Sequence, residues 1–221
     1  MSRALSTADA VIKSLGRPRE GGLADRDWRA LALLALATGP IYGAFMGSFG
    51  LDSAERLLMV VYAAAKVPIL ISITTLVCLP GFFALNSVLG LRGDFARAMR
   101  AILAGQAALT VSLASLAPLT ALAYVSGIDY RWALLFNAAM FTLATAVGQA
   151  VMQRRYRDLI ARAPAHRAML WMWVVLYAFV GIQMGWMLRP FVGMPGLPVS
   201  FFRAEPFTNA YVEVFHLVTG R

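Results

Sequence analysis

The sequence predicts an all-α fold: a polytopic transmembrane helical bundle of five spans, with short interfacial helices at both ends. Three observations carry this expectation. Of 221 residues, 60% are hydrophobic and only 14% charged, with mean hydropathy +0.68; a soluble domain typically carries about 25% charged residues. The apolar residues gather into runs near the ~20 residues that cross a bilayer. Arginine and lysine collect between alternate runs.

The elements follow in order. Residues 1–29 read as a cytoplasmic leader. Within it Leu5, Ala8, Ile12 and Leu15 share one helical face, and Gly16 is a plausible stop. That face suits the membrane surface. RPREGG (17–22) is a linker by its Pro and Gly content. The bundle is expected over 30–189. Span one covers about 30–50, and 51–58 is a short polar turn or helix. The next apolar run, 60–89, is too long for a straight crossing. Lys66 and Pro68 lie early in it, so an interfacial helix is expected to end near Lys66 and the span to start at Pro68, a residue tolerated at a first helical position. Whether 51–66 crosses the membrane or lies on it stays open. A loop at 90–99 leads to span three, 101–125. A tight connection, 126–131, leads to span four, 132–152. A loop at 153–167 leads to span five, 168–189.

Residues 190–221 read as an extracytoplasmic interfacial segment. PFVGMPGLPVSFFRAEP contains four prolines and two glycines in seventeen residues, so it cannot be a continuous helix. Tyr211, Val214, Phe215 and Val218 then make a short apolar helical face.

The formal charge of +9 excludes little by itself. In a soluble chain it would suggest nucleic acid. Here the basic residues fall in loops, where they meet anionic lipid headgroups, and no recognition fold accompanies them. The leader, the 90–100 loop and the 153–167 loop hold fourteen Lys and Arg; the other side holds six. That split predicts a cytoplasmic N-terminus and an extracytoplasmic C-terminus. Cys78 is the single cysteine, so no intramolecular disulfide can form. The first apolar stretch comes after a thirty-residue polar leader and is long enough to span, unlike a cleaved signal.

The most specific pattern is Gly39, Gly43 and Gly47 in span one, each four apart. That spacing keeps them on one face, where a second backbone can approach closely. Gly181 and Gly185 repeat it in span five; Ala104, Ala108 and Ser112 do so in span three. Internal packing and a docking face for another protein's helix both follow from such stripes. Asn86, Gln106, Asn137, Gln149 and Gln183 lie within spans, where each needs a hydrogen-bond partner. Lys66 and Arg189 are the ionisable residues nearest hydrocarbon and are expected to snorkel outward. No carboxylate lies at matching depth, which argues against a proton relay.

Catalysis and metal binding find little support. His166, His216 and Cys78 are assigned to the inside, the outside and the membrane, so they cannot converge on a metal. No phosphate-binding Gly loop, HExxH motif or nucleophile elbow is present. No cofactor and no catalytic residue is expected.

Several stretches carry a likeness. IYGAFMGSF (41–49), KVPILISITTLVCLPGFFALNSVLG (66–90), SLAPLTAL (115–122) and LRPFVGMPGLPVSFFR (188–203) resemble a family of uncharacterised bacterial inner-membrane proteins across about 41–212. The LRPFVG-x-PG-x-P segment is its most specific part. A looser likeness, through span count and the Asn-Ser-Val-Leu-Gly end of span two, is to Yip1-type five-span membrane proteins. The resemblance implies topology and a bacterial inner membrane, and no chemistry. It groups Lys66, Asn86, Arg189 and the 190–203 segment as one structural unit. The expected function is a non-enzymatic accessory or scaffold subunit that contacts membrane lipids and other membrane proteins or a second copy of itself. A transporter or channel for a small solute or lipid is the alternative.

Overall fold

The computed structural model describes residues 28–194 and 196–202. Five long helices dominate: α1 (Trp28–Gly47), α2 (Leu57–Val88), α3 (Phe95–Val125), α4 (Tyr130–Arg162) and α5 (Ala165–Met187). Among the described residues there is no strand. All five helices are long and apolar enough to cross a membrane, with mean hydropathies of 1.5 to 2.1. The expected interfacial helices, within 1–29 and at 211–218, lie outside the described residues, apart from Trp28 and Arg29 at the start of α1.

The second span corrects the sequence expectation. There is no interfacial helix ending at Lys66. A single 32-residue helix runs through both Pro68 and Pro80, so 51–66 is not a separate crossing and the total stays at five. A proline removes one intrahelical hydrogen bond, and membrane helices tolerate that loss when neighbours pack around it. Here α1 supplies the neighbour, since a Cβ at Gly39 would lie 3.4 Å from Pro68 Cβ. At 1.5 Å per residue α2 is about 48 Å long, well beyond a ~30 Å hydrocarbon core. It therefore extends past the core or tilts.

The fourth span also runs further than expected. Residues 153–162 continue α4 rather than forming a loop, and the connection to α5 is only Ala163–Pro164. The cause is amphipathic: Met152, Tyr156 and Leu159 share one buried face, while the arginines between them mostly point outward. Asp129 starts α4, accepting a hydrogen bond from the Trp132 backbone N–H at 2.9 Å, an N-cap that satisfies one open donor. Gly90 stops α2 with φ +71°, a left-handed conformation that glycine adopts without Cβ strain.

The helices form a ring in the order α1–α2–α5–α4–α3. Contact is extensive for α1 with α2, α1 with α3 and α3 with α4; α5 leans mainly on α2, and the α4–α5 seam is thin. Three apolar clusters fill the interior. One joins Tyr42, Val67, Ile71, Leu113 and Met140. A second gathers Phe82, Ile102, Tyr156, Met169 and Trp173. The third packs Leu31 and Leu34 against Ala104, Ala107 and Ala108, so the small-residue face of span three seats α1.

Candidate functional site

The glycine stripe of span one lies between α1 and α2. A Cβ on Gly43 would collide with the Ala63 carbonyl and come within 2.8 Å of Ala64 Cα; one on Gly47 would meet Met59 O at 2.6 Å. The two backbones touch along this face, so it is not free for another protein. A second close crossing joins α3 to α4: a Cβ on Gly105 would lie 3.0 Å from Gly148 O, and one on Gly148 would lie 2.8 Å from Gly105 O. Sequence reasoning passed over this pair because neither glycine has another glycine four residues away. The signal available was the tripeptide Gly-Gln-Ala, which occurs at 105–107 and again at 148–150.

The two glycines of α5 differ. Gly181 has Thr74 Cγ2 at 3.6 Å from its would-be Cβ, while at Gly185 no atom of the described residues lies within 4 Å. Along α5, Trp171, Val175, Phe179 and Ile182 are all more than half exposed. Their spacing of four, four and three places them on one helical face. Only 11% of the most apolar stretch of α5 is buried, against 28–39% for those of the other four helices.

At the end of the bundle where α1 turns into α2, residues 188–194 and 196–202 form a non-helical strap. Two cations from α2 and its N-terminal edge hold it. Lys66 Nζ donates to Pro190 O at 2.6 Å and sits over the rings of Phe201 and Phe191, 4.8 and 5.9 Å from their centroids. Arg56 donates to Met194 O at 2.7 Å and to Phe49 O at 3.3 Å. The strap inserts Val192 into the central apolar cluster. Lys66 is 0% exposed, so it does not snorkel as expected; the strap brings a carbonyl to it instead. Cation–π contact with the rings adds to that hydrogen bond.

Of the residues grouped with the strap, Lys66 bonds to it, Arg189 lies within it and Asn86 does not reach it. Arg189 stacks on Trp186 with Cζ 3.3 Å from the ring centroid. Asn86 lies twenty residues beyond Lys66 on the same helix, about 30 Å away. There it is buried and donates to Phe82 O at 2.8 Å. It has no part in the strap. Arg56, which sequence reasoning counted only as a loop charge, is the second cation of the unit.

Two polar clusters lie inside the bundle. In the first, Tyr42 OH donates to Asn137 Oδ1 at 2.8 Å, and Asn137 Nδ2 donates to Tyr124 OH at 2.6 Å and to Ala133 O at 2.8 Å. Thr120 and the Met46 carbonyl complete it. In the second, Tyr177 OH donates to Gln106 Oε1 at 3.1 Å, beside a recess of about 10 Å³ lined by Gly105, Gln106, Thr145, Gly148, Gln149 and Tyr177, among others. At the opposite end from the strap, His166 is fully buried and its Nε2 lies 3.4 Å from Asp94 Oδ2. Asp94 also accepts from Arg97 at 2.7 Å. Among the described residues, no three His, Cys, Asp or Glu side chains gather as metal ligands would.

Fold and site define a class: a multi-pass membrane protein with five candidate spans, a cation-held strap at one end and arginine-rich helix ends at the other. Comparison with family models, with curated proteins and with solved structures finds no match to this chain.

Proposed function

We propose that this protein is a non-enzymatic accessory or scaffold subunit that associates with other membrane proteins in a bacterial inner membrane. One observation carries the reading: α5 is far less buried than its four neighbours and leaves Gly185 open. Hydrophobicity does not drive helices together within lipid, so association there depends on close packing and interhelical hydrogen bonds. The stripe of span one is consumed inside the chain. The α5 face, with its bulky residues next to an unfilled glycine, offers the shape a partner helix can fit.

The orientation of this reading rests on charge. Among the described residues, Arg92, Arg97, Arg100, Arg154, Arg155, Arg157, Arg162 and Arg167 cluster about one end of the bundle. The positive-inside bias makes that end cytoplasmic and the strap extracytoplasmic. The proposed inner-membrane address follows from the family resemblance of the strap segment.

Extraction in mild detergent followed by native mass spectrometry tests the function. The reading predicts a complex of fixed stoichiometry with another membrane protein, dissociated by Gly185→Leu and left intact by Val61→Ala on the exposed face of α2. A lone monomer, or a complex indifferent to Gly185→Leu, contradicts it.

A further inference from the structure

The recess between α3, α4 and α5 has an unmet hydrogen-bonding demand. Its base is the Gly105–Gly148 crossing, where the two backbones meet closely. Gln106 is 93% buried, being 7% exposed, and its Oε1 already accepts from Tyr177. Gln149 Oε1 is buried and has no donor among the described residues. Gln149 stands five residues before Arg154, and Gln106 six after Arg100, so both amides lie about 8–9 Å along their helices from the arginine-rich end. An unmade hydrogen bond on a buried group costs about 1–3 kcal/mol.

We propose that this recess is an internal water-binding site. A cavity needs about 10–15 Å³ to hold one water, and the water needs two to four polar partners. The recess measures about 10 Å³ and is lined by two carboxamides, the Thr145 hydroxyl and the Tyr177 phenol. One water there donates to Gln149 Oε1 and bonds with the remaining polar groups of the wall. Among the described residues no charged side chain lines the recess, so they offer nothing to neutralise an ion. Its size excludes an acyl chain. The closed Asn137 cluster shows the contrast, since there Tyr42 and Tyr124 meet the amide directly. The water joins α5 to α3 and α4 at the thinnest seam of the ring.

X-ray radiolytic footprinting of the purified protein tests it. Radiolysis converts bound water to hydroxyl radical, which oxidises adjacent side chains even where solvent is excluded. Tyr177 and Met152, both at the recess, are expected to be oxidised faster than Phe179, which is 57% exposed on the apolar face of α5. In H₂¹⁸O the label at Tyr177 should appear with a lag that reflects slow exchange of a bound water. Gln149→Leu should abolish the Tyr177 and Met152 labelling. The proposal is overturned if these residues react no faster than Phe179 in the unmodified protein, or if Gln149→Leu leaves their oxidation unchanged. The first comparison needs no variant, so a misfolded Gln149→Leu cannot rescue the idea.

Discussion

At the residue scale, polar groups inside the bundle decide how tightly its parts are held. Lys66 is the sharpest case, a fully buried ammonium whose hydrogen-bond acceptor comes from 124 residues further along the chain. Hydrogen bonds to charged groups are worth about 1.5–3 kcal/mol. Lys66→Met keeps the aliphatic volume but loses this bond, so we expect the strap to loosen by roughly that amount. Hydrogen exchange at residues 188–194 should accelerate while α3 stays protected. Equal protection of the strap in Lys66→Met would show that Arg56 and the apolar insertion of Val192 hold it without Lys66. Asn137 tests the interior network. Asn137→Ala leaves Tyr42 and Tyr124 without their shared partner, and interhelical bonds of this kind are worth about 0.6–2 kcal/mol. The expected result is a loss of that order in a steric-trapping or denaturant titration, with the fold retained.

At the element scale, the same small residue has opposite consequences on different helices. Gly43→Ala forces a methyl group into the Ala63–Ala64 backbone. Neither backbone can give way without moving a helix, and overpacking of this kind costs about 1–3 kcal/mol. The apparent Tm in detergent should fall clearly. Gly185→Ala meets no atom within 4 Å and should leave stability within about 0.5 kcal/mol. Much of this scale was legible in the amino-acid string. The five hydropathic runs and the proline-rich strap are visible there, because length and apolarity are local properties. The continuity of α2 was not, since Pro68 looks like a helix start until Gly39 of α1 is seen beside it. The extension of α4 was hidden by its arginines, although Met152, Tyr156 and Leu159 already marked a buried stripe. The candidate site was less legible. Lys66 and the strap could be singled out, but their contact is long-range and its other cation, Arg56, sits in a loop-like stretch. Asn86 was grouped with them by chain likeness, and twenty residues of helix, about 30 Å, separate it from Lys66.

At the whole-molecule scale, five helices close into a ring whose fifth member is poorly covered. The proposed orientation makes a direct prediction. A cysteine at Arg131, beside the strap end, should react with an impermeant maleimide added outside intact cells. One at Asp158, on the arginine-rich extension of α4, should react only after the membrane is opened. The reverse pattern would overturn the orientation while leaving the five-span fold in place. The accessory reading makes a separate claim about α5, because an uncovered helix face serves either lipid or a partner. Site-specific photo-crosslinking in native membranes separates the two. With a photoreactive residue at position 179, the account predicts one discrete protein adduct, lost in Gly185→Leu, and lipid adducts alone from position 61 on α2. Lipid adducts alone from both positions would contradict it.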